Sequence, residues 1–372
     1  MRVGFDREIF LLQNYGGVSK YFTSIVKVFQ SNPNLQVEPS FTFHRSDNLY
    51  LQDIHKFKPA RWQIRAKSGL STALSIGPIR FLTQTWSGGI PTTTPIDLLH
   101  ATYYRPTLIE RFNAKKIAVT VHDFIPEKLG WNGFRNPHIG KKALVDKADV
   151  IICVSQNTAN ELEDFYGISK DRVSVIHHGI DDAISLAELK KIKKFSRPTI
   201  LYVGHRAGYK DFQVLPKAIR ELKNEISDAQ LVLIGPLLTK DEIHELNIIL
   251  GDDGWQHHSF MPEYKLNEFY KKSHVHCVTS KMEGFGMTTL ESLAMGTPVV
   301  ATDIPVFREV LGEFSTYFDV SSVGSLAYAL KQVLDPANNK YLSEQALVLS
   351  KSFSWQKSAE LHAQAYERAI FK

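Results

Sequence analysis

Two glutamates, Glu283 and Glu291, bracket the segment of this chain whose residue types point most directly to chemistry: Glu283-Gly284-Phe285-Gly286-Met287-Thr288-Thr289-Leu290-Glu291. The apolar run Val275–Ser280 precedes it and reads as a buried strand, and Thr288–Met295 reads as a helix. A helix start presents unpaired backbone N–H groups and the positive end of the helix dipole. Gly284 and Gly286 would let a ligand come close to that backbone. The combination suits a diphosphate. Carboxylates on either side of an anion-binding helix start are expected to accept from hydroxyls, and those of a sugar and a ribose fit. The purely structural reading, a helix with an acid near its dipole and a glycine-rich entry, leaves the acidic pair unexplained.

Arg206 and Lys210 follow a second strand-like run, Thr199–Gly204. Cations at that exit are expected to face a departing nucleoside diphosphate, whose charge grows in the transition state. Arg grips phosphate as a planar fork, Lys as a point charge. Two exposed loop cations are the structural alternative. Gly16 and Gly17 leave bare backbone where the first strand turns into a helix. His122 ends the apolar run Ile117–Val121; it is either a hydrogen-bonded structural residue or a ligand contact, and Asp123 could orient its ring or cap the next segment. His100–Pro106 offers aromatic faces and an arginine, which suit sugar binding and packing under a loop equally. There is no Asp-x-Asp, and the pairs His177-His178, His257-His258 and His274/His276 lack a convincing third ligand, so no metal site is expected.

The elements that must position these residues alternate. In the first half, strand-like runs are Arg2–Asp6, Val37–His44, Asp97–Thr102, Lys116–Phe124, Val150–Ser155 and Val173–His177, with helical stretches such as Gly17–Gln30 and Asn157–Tyr166 between them. Ser155 or Asn157 can cap the latter helix, and Gly167 can end it in the left-handed conformation. The second half gives strands at Thr199–Gly204, Gln230–Gly235, Gln256–Phe260, Val275–Ser280, Pro298–Thr302 and Thr316–Phe318. Its helices read as Asp211–Ile226, Lys240–Leu250, Lys265–Ser273, Thr288–Met295 and Val323–Leu334. Such alternation implies α/β architecture with parallel sheets covered on both faces. Asp181–Pro198 reads as a linker, so the expected domains are 1–182 and 183–354. Open parallel sheets bind ligands beyond the carboxyl ends of their strands, and two facing sheets would leave a cleft between the domains.

Composition narrows the class. A chain of 372 residues exceeds one ordinary core, and 43% hydrophobic with 22% charged residues is globular usage. No apolar run is long enough to span a bilayer, and Asp6, Arg7 and Glu8 interrupt any signal-peptide pattern, so a cytoplasmic location is expected. Cys153 and Cys277 lie in strand-like runs, where a disulfide is not expected. Residues 1–180 carry 22 Lys/Arg against 15 Asp/Glu, and the remainder 22 against 24. Part of the excess is His55–Lys67, where Lys56, Lys58, Arg61, Arg65 and Lys67 interleave with Phe57, Trp62 and Ile64. That segment suits either peripheral contact with an anionic membrane surface or a solvated helix face. No nucleic-acid motif accompanies it, and no G-x-G-x-x-G marks a dehydrogenase.

Five segments in order carry a family resemblance. Glu283–Pro298 resembles the E-x7-E motif of the retaining GT-B glycosyltransferases, especially glycosyltransferase family 4. Tyr15–Tyr21 resembles the family's glycine loop, and Val121-His122-Asp123-Phe124-Ile125-Pro126-Glu127 a cleft motif of one large subgroup. Val173–Asp181 resembles the usual end of the first domain, and Tyr202–Asp211 the loop carrying phosphate-binding Arg and Lys. The resemblance implies two Rossmann-like domains in the GT-B arrangement, the first on the acceptor side and the second binding the nucleotide-sugar. It also implies a last helix, within 355–372, that returns to the first domain. It implies retention through a same-face mechanism, with Gly16, Gly17, Arg206, Lys210 and Glu283–Thr288 around the donor diphosphate and sugar, Glu291 at the ribose and His122 beside the transferred sugar. The nucleotide diphosphate-sugar is a substrate, and no cofactor is implied. The subgroup suggests GDP-mannose or a deoxyhexose donor and a saccharide or lipid-linked acceptor in polysaccharide or lipopolysaccharide assembly. A nucleotide-sugar epimerase and a non-catalytic interaction protein are the rival readings. Met287-Thr288-Thr289 departs from the family's apolar or proline-containing stretch.

Overall fold

The short apolar runs form parallel strands. The structure, a computed structural model, describes residues 1–43, 46–54, 95–106, 112–133, 136–180, 189, 191–259 and 261–371. The basic segment His55–Lys67 and half of the expected linker lie outside the described residues. Two units are separable, Met1–Gly179 with Trp355–Lys372, and Ile180–Ser354.

The first unit carries a parallel sheet of six strands among the described residues: β1 (Arg2–Phe5), β2 (Glu38–Phe41), β3 (Ile96–Ala101), β4 (Ala114–Val121), β5 (Val150–Cys153) and β6 (Val173–Val175), in the order β2-β1-β3-β4-β5-β6. The second also carries six: β7 (Thr199–Val203), β8 (Gln230–Ile234), β9 (Trp255–His258), β10 (Val275–Val278), β11 (Val299–Thr302) and β12 (Thr316–Phe318), in the order β12-β11-β10-β7-β8-β9. The second order is that of the doubly wound dinucleotide-binding sheet, with its switch point between β7 and β10. In the first sheet the chain reverses between β1 and β3.

Period-two alternation explains why these strands are apolar throughout. In the second unit Ile200, Tyr202, Leu231 and Leu233 pack into one core, and the intervening Leu201, Val232 and Ile234 into another on the opposite face. Helix signals read from sequence hold in several places. Ser155 caps the helix Gln156–Tyr166 by accepting from the Thr158 N–H, and Gly167 ends it at φ 68°. The helix expected at Lys240–Leu250 has those bounds, and the structure adds a Thr239/Glu242 capping box at its start. The helix expected from Asp211 instead begins at Val214, because Asp211 itself is left-handed (φ 48°) and closes a 3-10 turn over Gly208–Lys210. Among the described residues no helix is long and apolar enough to cross a membrane.

One face of the first sheet is apolar: Leu99, Ala101, Val119, Val121, Ile151 and Cys153 share a core. The other face presents His100 and Thr120 to the helices Gly17–Ser31 and Trp355–Ile370. Their polar atoms join a buried chain. His362 Nδ1 lies 2.7 Å from the Ser358 carbonyl, which can only accept, so Nδ1 carries the proton. His362 Nε2 then accepts from the Tyr21 hydroxyl at 2.6 Å, and Tyr21 accepts from the Thr120 hydroxyl at 3.0 Å. Thr120 accepts from His100 Nε2 at 2.9 Å, and His100 Nδ1 accepts from the Tyr366 hydroxyl at 2.6 Å. A single carbonyl thus orders every proton in the chain, which fastens the last helix to this unit.

Removing one link leaves two buried groups unpaired. Tyr21→Phe is expected to cost about 1–3 kcal/mol, read as a lower denaturant midpoint with an unchanged slope. The buried histidines also fix the pH response. Burial lowers His362 to about 4 and His122 and His276 to about 3, with neighbouring charges adding to the effect at His122. Folded-state values below the unfolded value near 6.5 mean that the unfolded chain binds more protons there. Stability is therefore full above about pH 6.5 and falls as the pH drops toward 4 and then 3. Urea titrations between pH 7 and 4 should show this decline; a flat profile would contradict the neutral, buried state of these rings.

Candidate functional site

The switch point of the second sheet gathers the strongest candidates. β7 and β10 are neighbours whose following loops lead to different parts of the chain, so the loops after them meet over the carboxyl edge. After β7, the loop is drawn to the end of β10. The Thr279 hydroxyl donates to the Lys210 carbonyl at 2.6 Å, and the Lys281 N–H donates to the Tyr209 carbonyl at 2.8 Å. Lys281 Nζ also pairs with Asp211 at 3.2 Å. These bonds bring Lys210 Nζ to 2.5 Å from Glu283 Oε1, across a sequence separation of 73. The pair is mostly shielded, its side chains 22% and 14% exposed.

Glu283 leads into the helix Met287–Ala294, whose N-cap is Gly286 with no side-chain cap. Gly286 has φ 92° and ψ 55°, and a Cβ there would lie 2.7 Å from the Phe307 ring. No other residue fits that turn without strain. Glu291 is one turn into the helix and accepts from the Tyr270 hydroxyl at 3.1 Å. Gly284 is buried, Met287 and Thr288 are half-buried, and the Phe285 side chain packs inward, 6.2 Å from the Phe353 ring. Any contribution of Phe285 to a ligand would come from its backbone.

Arg206 does not join Lys210 and Glu283. Its Nε donates to Glu242 Oε1 at 2.8 Å, one terminal nitrogen donates to the Pro236 carbonyl at 2.9 Å, and the other donates to the Leu237 carbonyl at 3.2 Å and Glu242 Oε2 at 3.3 Å.

In the first unit, Gly16 caps the helix Gly17–Ser31 with extended backbone, and the Gln13 side chain accepts from the Ser19 N–H at 3.1 Å. His122 is buried, its backbone N–H donates to the Tyr104 hydroxyl at 3.0 Å, and its Nε2 has no hydrogen-bond partner among the described residues. Tyr21 meets the ring edge-on at 5.1 Å. Asp123 caps the following turn by accepting from the Ile125 N–H at 3.0 Å. His100 and Tyr104 lie in the interior, so the packing reading holds for them, while Arg105 pairs with Glu8 at 3.1 Å.

Two groups escaped sequence reasoning. Lys141 is fully buried, donating to the Asp123 carbonyl at 2.7 Å and pairing with Glu127 at 2.8 Å. Burial opposes ionisation of Glu127, but bonds from His138 and Lys141 hold it down at about 2. The signal for Lys141 was its place at the head of the stripe Lys141, Leu144, Val145, Ala148. A charged residue on an apolar face must have a partner. The second group is Asp6 and Glu8 at the end of β1, which sequence used only to exclude a signal peptide. Asp6 accepts from the Thr102 hydroxyl at 2.7 Å and N–H at 2.9 Å. Burial, with the Asp6 charge adding to it, pushes Glu8 up to about 8 against the pull of Arg105.

Two family models divide the chain between them: Glycosyltransferase Family 4 over residues 15–184 and Glycosyl transferases group 1 over 187–347. The chain has the fold of the GT-B glycosyltransferases, and its two halves match the family 4 and group 1 models in turn. Among relatives of this chain, a serotype-specific mannosyltransferase WbdA of Escherichia coli is 24% identical over 274 residues, 68% of this chain and 34% of that protein. A D-inositol 3-phosphate glycosyltransferase of Corynebacterium efficiens is 27% identical over 335 residues, 82% of this chain and 78% of that protein. The chain thus spans about a third of the first and most of the second; its matches to D-inositol 3-phosphate glycosyltransferases of Corynebacterium glutamicum and Kribbella flavida span about 60% of those proteins. Similar solved structures are Anabaena Alr3699/HepE in complex with UDP-glucose, at TM-score 0.70 and 14% identity, covering 99% of each chain, and sucrose-phosphate synthase of Thermosynechococcus elongatus, at 0.70 and 17%, covering 99% of this chain and 98% of that one. At such identities they establish the fold.

The two glycine turns of this chain should respond differently to a methyl group. At Gly16 the obstacle to a Cβ is the flexible Gln13 side chain; at Gly286 it is a buried ring, and φ is positive. Gly286→Ala is expected to cost about 1–3 kcal/mol and Gly16→Ala less. Paired urea titrations check this, and equal costs would contradict the conformational argument.

Proposed function

We propose that this chain is a retaining hexosyltransferase that moves mannose or a related deoxyhexose from a nucleoside diphosphate-sugar to a saccharide or lipid-linked acceptor, in polysaccharide or glycolipid assembly such as that of lipopolysaccharide. The observation that carries the reading is Lys210 held against Glu283 at the switch point, beside a helix start that only glycine can open. Mannose is supported by the V-H-D-x-x-P resemblance and by the name of the Escherichia coli relative. GDP-mannose is the first donor to test, and UDP-sugars come next because the HepE structures hold UDP or UDP-glucose.

In this reading the bond from the anomeric carbon to the β-phosphate oxygen breaks and its electron pair leaves with the nucleoside diphosphate. Lys210 and the backbone at Gly286–Thr288 balance that charge, and Gly16 and Gly17 admit the diphosphate. The acceptor oxygen bonds to the same face of the sugar and its proton passes to the leaving phosphate oxygen. Glu283 and His122 are assigned to sugar hydroxyls and Glu291 to the ribose. The donor is a substrate, and neither cofactor nor metal is required.

Steady-state kinetics with calorimetry on the free nucleotide tests the assignment. Glu283→Gln should lower kcat by about two orders of magnitude with little change in nucleotide affinity. Glu291→Gln should weaken both nucleotide and nucleotide-sugar about tenfold, the scale of one lost hydrogen bond. Lys210→Ala should remove most turnover in a folded protein, and activity should survive EDTA. Effects reversed between the two glutamates would reverse their roles. Conversion of the donor sugar without any acceptor would favour an epimerase instead.

A further inference from the structure

We infer that Glu242 and Arg206 form a clamp that sets the position of Lys210, so that Arg206 is a positioning residue and Lys210 alone of the two cations meets the diphosphate. The inference rests on the reading of Lys210 given above. The Arg206 guanidinium has five N–H donors in a fixed fork. Four hydrogen bonds, to both Glu242 oxygens and the Pro236 and Leu237 carbonyls, occupy all three of its nitrogens. The fork that would grip a phosphate is therefore engaged on the loop after β8. Its side chain is 7% exposed.

Glu242 is itself fixed. It is the third residue of the helix Lys240–Leu250, where Oε2 accepts from the Thr239 N–H at 2.8 Å while the Thr239 hydroxyl accepts from the Glu242 N–H at 3.1 Å. The Arg206 hydrogen bond, against a smaller opposing effect of burial, keeps the Glu242 carboxyl ionised below its usual range. The backbones beneath also touch: a Cβ on Gly235 would lie 2.3 Å from the Gly204 carbonyl oxygen. The loop after β7 is thus tied at Arg206 to the end of β8, and at Tyr209, Lys210 and Asp211 to the end of β10. Between the two anchors lie only Ala207 and Gly208, the latter opening the turn Gly208–Lys210 that left-handed Asp211 closes. Such a short span transmits any slackening at Arg206 directly to Lys210.

The charge of Glu242 makes the test decisive. Replacing it by Gln removes a negative charge near a site for anions, which by electrostatics alone tightens binding, and it would free a phosphate-gripping Arg206. If the clamp positions Lys210, Glu242→Gln instead weakens GDP or UDP binding about fivefold, within the range of one ordinary lost hydrogen bond. Arg206→Lys, which keeps the charge and loses the fork, weakens it similarly. In a Lys210→Gln background neither change has a further effect, because the residue they act through is gone. Calorimetry with GDP and UDP reads all of these affinities. Tighter or unchanged binding in Glu242→Gln, or an Arg206→Lys penalty of equal size with and without Lys210, overturns the proposal. A wild-type protein that binds neither nucleotide fails the functional reading. The clamp is then read alone by hydrogen exchange: faster exchange of amides 204–211 in Glu242→Gln upholds it, and unchanged exchange overturns it.

Discussion

The hydrogen bond from the Thr279 hydroxyl to the Lys210 carbonyl, with the Lys281 N–H on the Tyr209 carbonyl, is the contact on which the candidate site depends. It exists because β7 and β10 lie side by side while their following chain runs to opposite halves of the sheet. At that reversal the loops after the two strands meet, and the second supplies hydrogen bonds to backbone carbonyls of the first. A cation from one and an acid from the other are thereby held together, and a glycine-led helix start follows at once. The sheet order thus creates the place, the loop bonds set the residues, and glycine leaves the backbone bare.

Stability alone does not account for the charges gathered there. Mostly shielded pairs such as Lys210 with Glu283, Arg206 with Glu242 and Lys141 with Glu127 add little, since desolvation opposes their attraction. The pairs of Arg206 with Glu242 and of Lys141 with Glu127 make structural sense as orienting devices: each fixes backbone next to a candidate ligand contact, the first at the Lys210 loop and the second at the Asp123 carbonyl after His122. Lys210 differs from both in lying at the switch point of the sheet, beside the glycine-led helix start.

Much of this was legible in sequence for local reasons. Uniformly apolar runs give buried parallel strands, and Glu283–Glu291 announces its turn through Gly286. Ser155 and Gly167 announce the ends of their helix. What sequence could not give was partnership across distance. Nothing near Arg206 shows that Glu242, 36 residues on, claims its guanidinium. Lys141 looks like a surface lysine until its apolar stripe is noticed. The last helix reads as amphipathic, but its fastening through Tyr21 to His362 spans 341 residues and depends on polar groups on an otherwise apolar sheet face. Asp6 and Glu8 at the end of β1 carry no local motif at all.

Hydrogen–deuterium exchange with saturating GDP, and separately UDP, tests the central claim most directly. Binding measured independently should be accompanied by slower exchange in peptides covering residues 203–211 and 283–291, the loop and helix start that the Thr279 and Lys281 bonds bring together. Bound nucleotide that leaves both segments unchanged while protecting others would contradict the account.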